Sequence, residues 1–558
     1  MTGRSLSIYD TTLRDGAQRE GLALSVEDKL IIVKLLDKLG IPFIEGGWPG
    51  ANPKDVQFFW QLQEEPLEQA KMVAFCSTRR PGRAAAGDPM LLAILAASTE
   101  YVTVFGKSWD LHVTEGIGTT LDENLAMITD TIQFLRSQSR RVLYDAEHWF
   151  DAYRYNPEYA LQTLAAAAEA GAEWLVLCDT NGGTLPPDIT RITQAVQAEA
   201  HHLCGADLGI HTHNDSETAV ANALAGVEAG ATMVQGTING YGERCGNANL
   251  CSLIPNLQLK LGYACLPPEN LKLLTETARS VSEVVNLAPN DHAPFVGLSA
   301  FAHKGGIHVS AVQKNPLTYE HIQPEQVGNE RRIVVSEQSG LSNILTKVAS
   351  FGIPMEKGDP VARRILERLK QLEMEGYQFE AAEASFELLV REVMQQRPQW
   401  FDMLSFTCTV GTRSDWHSQN WDPLADTTVM ATAVTKISVQ GQERLTVAEG
   451  NGPVAALDQS MRKALLEFFP MLQHIQLADY KVRILDGTEG TSAKTRVLIE
   501  FNHLTAHHRW ITVGVSPNII EASCRALAEG LEYGLLRYGN LPSVEPTLSA
   551  DRTLAPNP

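Results

Sequence analysis

From residue 6 to about residue 262 the hydrophobic and polar positions repeat one rhythm: a short β-rich run, a loop, then a helical stretch of a dozen or more residues. The pattern predicts strands at Leu6–Thr12, Pro42–Gly47, Met72–Ser77, Tyr101–Gly106, Arg141–Asp145, Trp174–Asp179, Leu208–His213 and Thr232–Ile238. Helices follow them: Leu30, Val33 and Leu36 recur at helical spacing within Glu27–Leu39, and Pro157–Ala170 reads the same way. Strands that alternate with helices pair in parallel, because each helix carries the chain back to the same end of the sheet. Eight such units predict an α/β fold, a (β/α)8 TIM barrel over residues 1–262. An open doubly wound sheet is the alternative, but no Gly-x-Gly-x-x-Gly follows an early strand.

Between 263 and 395 the rhythm breaks into a proline-bearing stretch, the segment Ala300–Gln313, and helices predicted at Leu341–Ala349 and Asp359–Met374, a pattern of small linker subdomains. From 396 to 541, runs rich in Thr and Val predict a βββα module written twice. Its strands fall near 404–410, 428–439 and 442–449 with a helix at 453–468, then near 479–486, 495–501 and 509–515 with a helix at 517–537. That makes a separate C-terminal α+β domain. Residues 542–558, rich in Pro, Ser and Thr, are predicted to be a disordered tail.

Composition narrows the function. The 558 residues carry 66 acidic and 46 basic side chains, a formal charge of −20, and 44% are hydrophobic. A large core is available and a polybasic nucleic-acid binder is excluded. Any anionic substrate must be held by local cations or a metal, against the global field. No apolar run follows the first seven residues, and none reaches about 18 residues anywhere, so neither a secretory nor a membrane segment is predicted and the expected location is cytoplasmic. Eight scattered cysteines without a Cys-x-x-Cys pair argue against a disulfide framework and a zinc ribbon.

The loop after the first strand, Asp10-Thr-Thr-Leu-Arg14-Asp15-Gly-Ala-Gln18, puts a cation beside an anion at the rim where barrels place their chemistry. Alone, it reads equally as a surface ion pair. In Leu208-Gly-Ile-His211-Thr-His213-Asn-Asp215 the two histidines are two apart and share one strand face, while Leu208, Ile210 and Thr212 point the other way. One inward histidine would read as core; two aimed into a barrel mouth point to a divalent cation. After the eighth strand, Asn247 offers an amide oxygen, and Asp15 can add a carboxylate. Asp15, His211, His213 and Asn247 would suit an octahedral Mn²⁺ or Mg²⁺, with Zn²⁺ or Co²⁺ as further options. The glycines around Asn247 fit a plain turn as well. Glu45, His112, Thr114, Asp145, Glu147, Asp179, Thr180 and Asn181 gather at the same strand ends, each open to a substrate-binding or a structural hydrogen-bonding role.

Asp10-Thr-Thr-Leu-Arg-Asp-Gly, the His211-Thr-His-Asn-Asp strand, Gly242-Glu-Arg-Cys-Gly-Asn and His303-Lys-Gly-Gly-Ile-His308 together resemble the 2-isopropylmalate, citramalate and homocitrate synthase family, from residue 8 to about 540. Glu45-Gly-Gly-Trp-Pro-Gly-Ala-Asn-Pro, Lys107-Ser-Trp-Asp-Leu-His112-Val-Thr-Glu and Asp179-Thr-Asn-Gly-Gly-Thr are most similar to the longer citramalate synthase branch, and Gly450-Asn-Gly-Pro-Val and Gly490-Thr-Ser-Ala to the family's allosteric domain. The resemblance implies that Asp15, His211, His213 and Asn247 are the metal ligands and that Arg14 faces the keto-acid oxygen. It places His112, Glu147 and Thr180 at the substrate, and gives the connecting region's His308 a catalytic role on the neighbouring subunit's barrel. Isopropylmalate synthases carry a serine where this chain has Asp145, which implies a different substrate pocket.

The implied reaction is a Claisen condensation of acetyl-CoA, the co-substrate, with pyruvate to (R)-citramalate and CoA, an entry to isoleucine biosynthesis. Arg14, Glu147 and His308 are its expected catalytic residues, and Glu147 and His308 the candidate bases. Isoleucine is the expected effector, and a homodimer or higher homo-oligomer the expected assembly. Trp48, Trp109 and Tyr144 could fill the space a larger keto acid would need, or simply pack. The competing readings are 2-isopropylmalate or homocitrate synthase, a non-catalytic amino-acid-sensing protein, and a metal-dependent lyase or carboxyltransferase on a related barrel, which would lack the doubled βββα domain.

Overall fold

The computed structural model describes residues 4–199, 203–336, 338–411, 430–486, 492–506 and 508–539. The tail expected over 542–558, the start of the strand expected from 428 and Gly490 lie outside these residues. The chain forms two compact units: Met1–Ala302 with Glu320–Arg332, and His303–Tyr319 with Ile333–Pro558.

The first unit is a closed barrel of eight parallel strands in chain order: β1 Ser7–Asp10, β2 Phe43–Gly47, β3 Lys71–Ser77, β4 Tyr101–Lys107, β5 Arg141–Glu147, β6 Trp174–Asp179, β7 Asp207–Thr212 and β8 Met233–Gly236. Closure is made by β1 against β8, with Ser7 opposite Met233 and Asp10 opposite Gly236. β1 ends two residues before the predicted Thr12. The Asp10 carboxylate turns back to accept hydrogen bonds from the Thr12 backbone N–H (2.9 Å) and hydroxyl (2.8 Å), which bends the chain out of the sheet.

Alternation along the strands sorts the core into two layers. Ile8, Ile44, Ala74, Val102, Tyr144, Leu175, Ile210 and Val234 face outward and join the core shared with the helices. Tyr9, Phe43, Val73, Tyr101, Leu143 and Met233 face inward and form a separate apolar floor. Above that floor the inward positions carry Glu45, Thr103, Asp145, His211 and Gln235 together with Phe75 and Phe105, so the barrel is apolar at its amino-terminal end and chemically equipped at the other. The helix after β1, α1 (Val26–Leu39), shows how firmly the shell is set. Ser25 and Asp28 cap it reciprocally, the Asp28 N–H donating to Ser25 Oγ (3.1 Å) and the Ser25 N–H to Asp28 Oδ2 (2.8 Å), and it stops at Gly40 with φ 91°. The segment 263–302, which the sequence pattern assigns to a connecting region, belongs to this barrel unit.

In the second unit, the doubled βββα pattern appears as two three-stranded antiparallel sheets. Asp402–Gly411, Met430–Val439 and Gln442–Gly450 make one, with helix Pro453–Leu465; Ile475–Ile484, Thr495–His503 and His508–Ser516 make the other, with helix Ile519–Tyr538. Helix Glu383–Val393 is part of the same body: its Phe386, Leu389 and Val390 share a core with Val513 and Val515. None of the eight cysteines forms a disulfide.

A Cβ added to Gly530, inside the last helix, would lie 1.8 Å from the ring of Phe501, which is fully buried. Helix propensity alone gives Gly→Ala a gain of about 1 kcal/mol. Overpacking at a buried ring reverses it, so Gly530→Ala is expected to destabilise by about 1–3 kcal/mol. Thermal melting checks the sign: a lower midpoint is expected, and a higher one contradicts this packing.

Candidate active site

At the carboxyl end of the barrel the loop after β1 is tied to the loop after β8, where the Ile238 N–H donates to Thr12 Oγ1 (2.9 Å). That tie holds Arg14 and Asp15 over the mouth. Arg14 is fixed from three sides. Its Nε donates to Glu45 Oε2 (2.5 Å), its Nη1 lies 3.2 Å from Asp15 Oδ2, and its guanidinium sits 3.8 Å from the centre of the Phe75 ring. Glu45, on β2, is fully buried, and its second oxygen accepts from Tyr9 Oη (2.8 Å). Both oxygens of Glu45 are thus engaged in positioning its neighbours.

His211 lies on β7 and His213 just beyond it, where a backbone bridge pairs His213 with Asn247. The two imidazole Nε2 atoms face each other at 3.1 Å, and Asp15 Oδ2 lies 3.5 Å from the first and 3.9 Å from the second. All three side chains are buried. Cis donors around an octahedral ion at 2.0–2.1 Å stand about 3 Å apart, so these atoms surround one small cation's worth of space. Asn247 is buried beside them. Its Nδ2 donates to the Tyr241 carbonyl (3.2 Å), and its Oδ1 accepts no hydrogen bond among the described residues. An orphaned amide oxygen beside two imidazoles and a carboxylate fits a hard or borderline divalent ion. The charge states fit as well. Burial opposes ionisation of Asp15, but Arg14 and the two histidines outweigh it and hold its carboxyl at about 2. Burial pushes His211 down despite Asp15, and burial with His211 brings His213 to about 3, so both imidazoles are neutral near pH 7.

The cavity in front of this cluster measures about 210 Å³ and is lined in part by Arg14, Asp15, Asp145, Glu147, Thr180, His211 and His213. Asp145 Oδ1 accepts from Gln235 Nε2 (3.0 Å), and burial with the Glu45 charge pushes its carboxyl up to about 8. Glu147 is paired with Lys107, and Thr180 Oγ1 accepts the His148 N–H (2.9 Å). Asp179 caps Thr184 through its side chain (Thr184 Oγ1 to Oδ1, 2.7 Å).

Other expected residues stand elsewhere. His112 opens the short π-helix His112–Ile117, its ring 4.3 Å from that of His148 and 5.1 Å from that of Trp109, and it does not line the cavity. His308 belongs to the second unit, on helix Gly306–Lys314, with its ring stacked on Tyr319 at 4.2 Å. Of the three candidate aromatics only Trp48 lines the cavity; Tyr144 faces outward into the helical shell, and Trp109 stacks on Tyr155. The aromatic wall is completed instead by Phe75 and Phe105, which sequence reasoning passed over together with Gln18, Cys178, Gln235, Glu243 and Arg244. Strand parity was the available signal, since Phe75 and Phe105 share their faces with inward-pointing Val73 and Tyr101.

The barrel with this cluster at its carboxyl rim defines the class: residues 5–285, half of the chain, match the HMGL-like family, and the chain belongs to it. Residues 295–376 match the homocitrate synthase post-HMGL domain-like family, and residues 380–535 the LeuA allosteric (dimerisation) domain. Among particular relatives, the (R)-citramalate synthase of Synechocystis sp. is 66% identical over 536 residues, covering 95% of this chain and 96% of that protein. That of Aquifex aeolicus is 52% identical over 530 residues, covering 95% and 98%. A 2-isopropylmalate synthase of Synechocystis sp. is 30% identical over 537 residues, covering 93% and 94%.

The raised Asp145 carboxyl has a thermodynamic consequence. The folded chain keeps this proton up to about pH 8, whereas the ordinary value is 3.8, so between those limits the folded state binds the extra proton and stability falls as pH rises. Asp145→Asn cannot titrate. Its melting temperature relative to the parent is expected to rise from about pH 5 to about pH 9, and a pH-independent difference contradicts a neutral Asp145.

Proposed function

We propose that this chain condenses acetyl-CoA with pyruvate to give (R)-citramalate and CoA, an acyl transfer in which the acyl group becomes an alkyl group. The observation that carries the reading is the buried convergence of Asp15, His211 and His213 beside Arg14, with an orphaned amide oxygen on Asn247, the residue bridged to His213. The named relatives at 66% and 52% identity, matched along nearly their whole length, support it.

Asp15, His211, His213 and Asn247 would hold the cation. A bound Mn²⁺ or Mg²⁺ would orient the 2-oxo acid and draw charge from its carbonyl. Arg14, locked by Glu45 and Phe75, presents a fixed cation to the oxygen that becomes an alkoxide. Glu147 is the candidate base for the acetyl methyl within the cavity, and His308 the candidate that a neighbouring subunit would contribute. Asp145 and Thr180 hold the substrate from the opposite strands, and His112 acts from the rim. Hydrolysis of the citramalyl thioester completes the cycle. Trp48, Phe75 and Phe105 line the cavity, and their bulk would leave less room for a branched keto acid than for the methyl of pyruvate.

The same proposal includes a cytoplasmic homodimer with isoleucine as effector. The match to the LeuA allosteric (dimerisation) domain supports it, as do the exposed Leu404, Val410, Leu445, Val447, Val482 and Ile484 on the sheets of that region, apolar surface that a second copy would cover. No helix among the described residues is long and apolar enough to cross a membrane.

Turnover on pyruvate, 2-oxoisovalerate and 2-oxoglutarate tests the reading. Pyruvate is expected to lead in kcat/KM by at least about 10-fold, the worth of one or two methylenes in an apolar pocket, and a lead for 2-oxoisovalerate would overturn it. Arg14→Ala is expected to cost about 10²–10³ in kcat. Chelation should abolish activity and Mn²⁺ restore it; full turnover by either preparation contradicts the assignment.

A further inference from the structure

Inside the barrel, one fully buried side chain joins two of the residues above and has no role in the reaction as described so far. Gln235 stands on β8, opposite His211 of β7 in the strand register. Its Nε2 donates to Asp145 Oδ1 at 3.0 Å, and its Oε1 lies 2.8 Å from His211 Nδ1. These two contacts, made by opposite ends of one amide, fix each other. In the orientation the structure gives the amide, its N–H donates to Asp145 Oδ1, an oxygen that can accept even when the carboxyl is neutral. With Nε2 turned to Asp145, the amide oxygen must face His211. An oxygen only accepts, so Nδ1 of His211 carries the proton and donates it. The proton of a neutral imidazole is then spent on Nδ1, and the lone pair is left on Nε2. That is the atom facing His213 and Asp15, at 3.1 and 3.5 Å.

We propose that Gln235 is a positioning residue for the cation site, setting the tautomer of His211 so that Nε2 is offered as a ligand, with Asp145 setting the orientation of the Gln235 amide. The inference rests on the reading of Asp15, His211, His213 and Asn247 as a divalent-ion site. It gives Asp145 a second duty besides lining the cavity. It also explains why an interior position on β8 holds an amide rather than the aliphatic side chain that Met233, two residues earlier, contributes to the floor. His213 has no such partner, since its Nδ1 makes no hydrogen bond among the described residues. The built-in orientation therefore acts on His211 alone.

Mn²⁺ binding to the full chain, measured by titration calorimetry without substrate, separates this role from packing. Gln235→Met keeps the volume and removes the acceptor; Gln235→Glu keeps an oxygen facing Nδ1 but puts a carboxyl group in the interior. If Gln235 positions His211, the methionine variant binds Mn²⁺ about 10–100-fold more weakly and the glutamate variant stays within about 3-fold of the parent. If Gln235 only fills space, the ranking reverses, with methionine tolerated and glutamate damaging, and the inference is overturned. Should Gln235→Met fail to fold, the glutamate variant still decides, because a loss of about 10-fold or more there contradicts the proposal. A parent chain that binds no Mn²⁺ overturns the ion-site reading and this inference with it.

Discussion

The pairing of β1 with β8 is the constraint on which the site depends. In an open sheet the first and last strands would lie at opposite edges, and Asp15, just beyond β1, would be far from the residues that follow β7 and β8. Closure makes β7, β8 and β1 consecutive around the ring. The groups converging at the mouth, Asp15, His211, His213 and Asn247, come from those three strands or their loops. The short loop tie from Ile238 to Thr12 then fixes the height of Arg14 and Asp15 above the cavity. Parallel pairing also puts all three carboxyl ends on one side, so one topological fact supplies both the neighbours and the rim.

Electrostatics decides what that convergence can do. A carboxylate buried among apolar walls would ordinarily take up a proton, and two imidazoles nearby would ordinarily compete for it. Here Arg14 keeps Asp15 ionised, while burial keeps His211 and His213 neutral. The cluster therefore offers lone pairs rather than protons near pH 7. Arg14 is in turn prevented from collapsing wholly onto Asp15 by Glu45, buried on the neighbouring strand and braced by Tyr9. The apolar floor of Tyr9, Phe43, Val73, Tyr101, Leu143 and Met233 closes the barrel beneath this polar layer.

Much of this was legible in the sequence, and for physical reasons. Eight strand–helix units fixed the barrel, and the spacing of His211 and His213 placed both rings on its inner face before any coordinate was known. Parity carries further information. Asp145 and Tyr144 are adjacent on β5, so an inward aspartate requires an outward tyrosine, and Phe75 and Phe105 had the inward parity that Tyr144 lacked. Other features depend on register between strands distant in sequence. Gln235 faces His211 and Asp145 only because of the pairings around the ring, and Glu45 reaches Arg14 from the adjacent strand. The place of helix Glu383–Val393 was hidden for a similar reason, since its apolar face is explained by Val513 and Val515, more than a hundred residues later.

The central claim, that four donors from three neighbouring strands enclose one divalent ion, has a direct crystallographic test. Crystals of the full chain grown with Mn²⁺ should show a single anomalous difference peak at the barrel mouth, within ligand distance of Asp15, His211 Nε2, His213 Nε2 and the Asn247 oxygen. No peak there at saturating Mn²⁺, or one coordinated by other side chains, would contradict the account.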